Sequence, residues 1–525
     1  MYDLFRRAGP VGIGAVTAIV FSAAASPAAS AAEQRLQLPS DVKMTCPVSE
    51  ETFQGWLKER PSSTLPSWRA SSGAVFNPAL SVTFQADNGY DTTLCDFYKW
   101  GQQMFLWLTS PDSNDGAGWV LTGPAIYNVL PAQNGERKLQ PHGASNETLD
   151  LTVRHTKPDK IEEIGQAGGD SGVLMSQDKS LVYYGVHVND LYAAFLTGHK
   201  TQESGGTLAS AKKFPRLRAD MDDVVSYAAN RNPPIAVDAP ETLAMELKTS
   251  WVRADTLPNK EDYFRIIGYV PHYVQTAGTS VPTLAPIHLS TDPRPVELAL
   301  VGMHVVGTVQ HHPEFVWASF EHVNNAPNAP YYYDAKGSDQ PKKHVDPTGR
   351  YLFTDASTDP ADYDAANVEC MHLTTTGTIV AKEKDGKLAC PDGIAPSSTV
   401  RVNPWGGEAG DTAAPAVKNN TLLISNNISV QGWLASDDVR RNYVQIGSLW
   451  TAPQQKRGVD APIPTFSDQM KSAQRGSLQL ANATMETYEQ DKNCFACHAV
   501  STDQKPAGQT FDYLSHVFSE IDPLN

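Results

Sequence analysis

The sequence predicts a mainly β protein, a sandwich-like β-rich body with a few helices, that ends in a short α-helical C-terminal segment. Three observations predict it. Six runs are rich in β-branched and aromatic residues: Leu181 to Val188, Tyr263 to Val270, Leu298 to Val309, Phe315 to Val323, Leu422 to Val430 and Tyr443 to Trp450. Proline and glycine, 37 of each, break the chain between such runs, most heavily over Asn325 to Pro341 and Pro391 to Asn420. From Ser467 onward the spacing changes, and Leu478, Ala481, Met485 and Tyr488 recur on what would be one face of a helix.

Taken in order, residues 1–31 read as a targeting segment outside the fold. Arg6 and Arg7 form a positive start, Val11 to Phe21 an apolar stretch too short for a membrane span, and Ala29-Ser30-Ala31 a small-residue cleavage site. The short, alanine-rich style looks bacterial, so the expected location is the periplasm or beyond. Cys46 precedes a helix-like run from Ser49 to Leu57, and Cys95 precedes another from Asp96 to Leu108, whose aromatic residues read as core. Leu217, Met221, Val224, Val225 and Ala228 share a helical face within Pro215 to Ala229, and Asn230, Pro233 and Pro234 end it. A last helix is expected over Thr510 to Ile521, closed by Pro523. The expected division is thus a targeting segment over 1–31, a β-rich body over 32–465 with a candidate internal boundary near 391–420, and a helical tail over 466–525.

The 525 residues are ample for a large core, and 10 Trp, 19 Tyr and 17 Phe exclude a wholly disordered chain. A net charge of −16 repels phosphate backbones, which argues against nucleic acid as a partner and suits a basic one. Gly-x-Ser-x-Gly, His-Glu-x-x-His, Walker and Gly-x-Gly-x-x-Gly patterns are all missing, so hydrolase, metalloprotease, kinase and nicotinamide chemistry have no motif. Gly169-Asp170-Ser171-Gly172 echoes a serine-protease nucleophile segment, but His142 and His155 lack the context of a triad partner.

Six cysteines carry the chemistry. Cys494-Phe495-Ala496-Cys497-His498 is C-x-x-C-H, the attachment signature of haem c. Two thiols one helical turn apart can each add to a haem vinyl group, and the adjacent His498 becomes the proximal iron ligand. A redox disulfide would need a βαβ context and a zinc site a second ligand pair, and neither is visible. In an oxidising compartment the other four cysteines favour disulfides, and proximity pairs Cys46 with Cys95 and Cys370 with Cys390. The second pair brackets a hairpin signalled by Asp385-Gly386.

Residues 499–525 contain no Met, so the downstream chain cannot complete a His/Met pair at the iron. The sixth position falls to His516, to a Met or His of the body, or stays open. On a helix at about 100° per residue, Leu514, Val517, Phe518 and Ile521 share a face and His516 lies opposite. So short a tail cannot enclose a haem, and the body must supply most of the pocket. His304, His311, His312, Glu321 and His322 tempt a metal-site reading. A hairpin centred near 311 or 312 pairs His304 with about residue 319, which leaves His322 about 10 Å away at about 3.3 Å per residue, too far for one ion.

The C-x-x-C-H motif, the export signal, Leu514-Ser515-His516-Val517-Phe518 and the run His312-Pro313-Glu314-Phe315-Val316-Trp317-Ala318-Ser319-Phe320-Glu321-His322 resemble those of large exported bacterial single-haem cytochrome c family proteins, a group without an established activity. The resemblance implies one covalent haem c held by Cys494, Cys497 and His498. Three functions stay open: an exported mono-haem cytochrome passing single electrons to a redox partner protein, a haem oxygenase or peroxidase-type enzyme with an open distal site, and a haem-based ligand-binding or sensor protein.

Overall fold

The structure is a computed structural model that describes residues 34–59, 74–76, 94–112, 118–130, 136–142, 148–150, 167, 172–211, 213–275, 286–309, 312–355, 370–374, 378–391, 393–408, 410–451, 474–492, 494–498, 515 and 517–525. The targeting segment, His155, His311 and His516 lie outside them, as do residues 169–171 of the protease-like motif. Residues Glu33–Asn525 form one compact unit. No helix among the described residues is long and apolar enough to cross a membrane.

The helices are α1 (Glu50–Trp56), α2 (Leu94–Leu108), α3 (Asp190–Thr201), α4 (Arg218–Asn230), α5 (Ala414–Trp433) and α6 (Cys494–His498). A 12-stranded sheet dominates. Its strands are β1 (Ile126–Val129), β2 (Leu139–Pro141), β3 (Thr148–Asp150), β4 (Tyr183–Asn189), β5 (Met245–Arg253) and β6 (Arg265–Gln275). Then come β7 (Ile287–Val309), β8 (His312–His322), β9 (Met371–Leu373), β10 (Ile379–Ala381), β11 (Tyr443–Thr451) and β12 (Gln474–Gly476). The order is β12-β11-β8-β7-β5-β4-β1-β2, antiparallel throughout. The 23-residue β7 serves twice: its second half lies between β5 and β8, and its first half pairs with β6, to which β3 adds in parallel.

The β-rich body with few helices expected from the sequence is what the chain forms. One face of the sheet is covered by helices. Phe105 of α2 stacks on Phe320 of β8 at 4.5 Å, and Phe97 stacks on Trp450 of β11 at 4.4 Å. Helix α5 corrects the expected strand at Leu422 to Val430. Three consecutive apolar residues, Leu422, Leu423 and Ile424, read as strand, but the helix is buried nearly all round, so it shows no one-sided pattern. Its asparagines replace strand contacts. The Asn427 amide accepts from the Gln445 N–H (2.8 Å) and donates to the Gln445 carbonyl (2.9 Å), as a neighbouring strand would. Ser425 and Ser429 accept from the N–H groups of Cys46 and Val48, which fixes the chain entering α1.

Both expected disulfides form. Cys46 and Cys95 tie the approach to α1 to the start of α2, and Cys370 and Cys390 close the small hairpin region. Asp385 (φ 54°) and Gly386 (φ 72°) both take left-handed backbone between Glu383–Lys384 and Lys387–Leu388, the two-residue turn the dipeptide signals.

Candidate haem centre

The opposite face of the sheet is built for polar contact. Three cross-strand rows stand side by side: Glu246, Val306 and Trp317; Lys248, His304 and Ser319; Ser250, Gly302 and Glu321. Side chains two apart on a strand share a face, so the eight side chains of these rows point the same way, with Gly302 leaving a gap among them. The pairing of His304 with Ser319 is the register expected from the hairpin arithmetic.

The chain after β12 lies on this face. The helix expected from Leu478, Ala481, Met485 and Tyr488 does not form; residues 477–492 run as successive turns. Their polar side chains are spent on neighbouring backbone and on the sheet, and such bonds compete with a helix. Asn482 donates to Ser319 Oγ (3.0 Å) and the Phe320 carbonyl (3.1 Å), and Thr484 Oγ1 meets Ser250 Oγ (2.8 Å). Gly302 lets this segment approach: a Cβ there would lie 2.5 Å from Thr484 Oγ1. Glu321 is buried and accepts from Arg401 and from the Ala483 N–H (2.8 Å).

Helix α6 is the C-x-x-C-H motif itself. Phe495 is its buried anchor, with its ring 6.2 Å from that of Trp317. The half-buried His498 ring lies 4.4 Å from Trp317, inclined by 53°. Cys494 packs at the edge of the core, Cys497 lies in the same helix, and neither disulfide draws on them. Trp317 is 5% exposed, and its indole Nε1 has no hydrogen-bond partner. A buried donor left so costs about 1–3 kcal/mol. A planar group with acidic substituents, bonded through this helix, would remove that cost. The residues present therefore fit haem: Cys494 and Cys497 for its vinyl groups, His498 for its iron, and Trp317 beside it.

Two ionisable clusters share the face. His304 Nε2 meets Glu486 Oε1 at 3.0 Å, and His304 Nδ1 meets Ser319 Oγ at 3.0 Å. Burial opposes the charge on Glu486, but the adjacent His304 charge and hydrogen bond outweigh it, with help from Lys248, and hold the carboxyl down at about 2. Glu246 accepts from the Ser515 hydroxyl, which is 2.8 Å from the Tyr192 hydroxyl. Burial pushes the Glu246 carboxyl up to about 7, against the Ser515 hydrogen bond and the Arg137 charge. Lys248 extends over the Tyr184 ring at 5.5 Å.

His322 stacks on Tyr263 at 3.8 Å, accepts from the Asn324 N–H at Nδ1 and donates from Nε2 to the Asp262 carbonyl. Burial pushes it down to about 3, so it is a neutral structural imidazole. Among the described residues no three His, Cys, Asp or Glu side chains are placed to hold a metal ion. Of the expected final helix, residues 517–520 form a turn, and Phe518 packs against Tyr192, Phe195 and Phe214. Sequence reasoning named Trp317 only within a longer run and missed Glu246 and Glu486. The alternation of Glu246, Lys248 and Ser250 with Met245, Leu247 and Thr249 was the available signal for the first.

No family model, curated protein or solved structure matches the chain.

Proposed function

We propose that this protein is an exported mono-haem c-type cytochrome that transfers single electrons. The observation that carries the reading is the C-x-x-C-H helix seated on Trp317, against the sheet of the body. Bound there, haem would supply one-electron cycling between ferric and ferrous iron. The chain's own residues would do the rest. Cys494 and Cys497 would hold the group covalently, His498 would ligate it, and Phe495 and Trp317 would fix the helix that carries all three. The sixth position would go to His516, to a body residue, or stay open. Two disulfides support an oxidising compartment such as the periplasm. The charge of −16 would favour a basic redox partner protein.

One observation favours a second reading, a haem enzyme of oxygenase or peroxidase type. Glu246 and the His304–Glu486 pair share the sheet face with Trp317, and such groups can move protons. The reduced visible spectrum with and without carbon monoxide tests both readings. Reduced haem c bands unmoved by carbon monoxide support the cytochrome. Ready carbon monoxide binding moves the enzyme ahead. Protein without haem bands, from cells that mature c-type haem, overturns both.

A further inference from the structure

The tryptophans of this chain treat their indole N–H groups in different ways. Trp251 donates to Thr249 Oγ1 at 2.8 Å, and Trp433 donates to the Val48 carbonyl at 2.8 Å. Trp405 is turned edge-on to the Tyr331 ring (5.8 Å, 81°). Among the described tryptophans, Trp317 combines a buried N–H that lacks an acceptor with contact to the C-x-x-C-H helix, through Phe495 and His498.

We propose that the Trp317 indole N–H donates to a carboxylate at the edge of the bound haem, so that one side chain both orients the His498 ring and anchors the cofactor's acidic edge. This rests on the haem reading. Of the groups around a haem c, the two propionate carboxylates are the strong acceptors. A donor bonded to an ionised acceptor makes a shorter and stronger bond than a neutral pair does. The backbone of Trp317 is held in β8 between Val306 and Leu449. Its ring is also held between Phe315 (6.5 Å) and the α6 side chains. The N–H is thus fixed in advance, and the acceptor must come to it.

The pairing has an electronic consequence. A carboxylate near the iron stabilises the ferric form. A donor that draws off part of its charge weakens that effect and raises the midpoint potential. Trp317 is therefore a positioning residue that also tunes the haem.

The test uses the matured full-length protein. Trp317→Phe keeps an aromatic ring beside His498 while removing the N–H and part of the indole. It should retain covalent haem at the wild-type stoichiometry, lower the midpoint potential and shift the resonance Raman bending band of the propionates. A merely structural role would leave that band in place. Haem retained with the band and the potential both at wild-type values overturns the proposal and leaves the haem reading standing. Wild-type protein without covalent haem overturns both. If Trp317→Phe fails to mature, the wild-type protein decides. A propionate band that moves on exchange into D2O supports the exchangeable donor, and an unmoved band overturns it.

Discussion

One face of the central sheet meets helix α2 ring against ring, with Phe105 on Phe320 and Phe97 on Trp450; the other meets residues 477–498 through hydrogen bonds and charges, with Asn482 on Ser319, Glu486 on His304 and the Ala483 N–H on Glu321. The strands are the same, and alternation sends different residues to each side. Apolar packing is non-directional and tolerates the loss of an atom or two. A buried polar network is directional, and a half-broken one costs more than none. The motif helix α6 lies on the polar side, through Trp317. The helical face therefore holds stability that is lost in small steps, and the polar face holds stability that fails sharply when one partner is removed and that depends on protonation.

The sharpest way to break this division is Arg401→Ala. It strands the buried Glu321 carboxylate, which should cost about 3–5 kcal/mol in urea unfolding. Replacing both partners with apolar residues of similar size should recover most of that loss; if the single and double variants lose the same, the network account fails. On the helical face, Phe105→Leu should cost about 1–2 kcal/mol by losing the stack on Phe320, with no change in any haem spectrum. A changed spectrum would mean that the two faces are coupled.

The two carboxyls give opposite pH dependences. Glu246 is raised to about 7 in the folded state from an ordinary 4.5, so the folded state holds a proton that the unfolded state has lost between those values. Stability at this site therefore falls as pH rises from about 4.5 to 7, and Glu246→Gln should flatten that fall. Glu486 is lowered to about 2, so its contribution is full above about 4.5 and disappears as pH falls toward 2. Glu486→Gln should be less stable than wild type at pH 6 and converge with it near pH 2. Thermal unfolding across pH 2–8 reads both. The smallest effect belongs to Leu478→Ser, at a side chain 48% exposed in the same segment, which should change stability by less than about 0.5 kcal/mol.

Much of this was legible in the sequence, and the exceptions share a cause. β6, β7, β8 and β11 announce themselves through β-branched and aromatic runs, and the disulfides through proximity. Helix α5 hides because its asparagines are bonded inside the protein and leave no polar face to see. The turns of 477–492 mislead in the opposite sense. Leu478, Ala481, Met485 and Tyr488 have helical spacing, but Asn482, Thr484 and Gln490 find better partners off the segment than a helix would give them. At the site, the motif is readable from five residues. Trp317, Glu246 and His304 become neighbours only through strand register, which long-range pairing decides.

The contacts of residues 34–48 bear on how the molecule is assembled. The Leu36 N–H bonds to the Val323 carbonyl, and Cys46 and Val48 rest on Ser425 and Ser429, almost 400 positions later. At the other end, Arg137 holds Glu520, and Tyr192 holds Ser515. The first and last described parts of the chain thus each pack on segments hundreds of positions away, and loop closure over such distances is slow. A ribosome that has released only the first 400 residues has produced a chain that cannot yet close. The fold therefore closes only once residues 425–520 are present, and the C-x-x-C-H helix is among the last elements to be made.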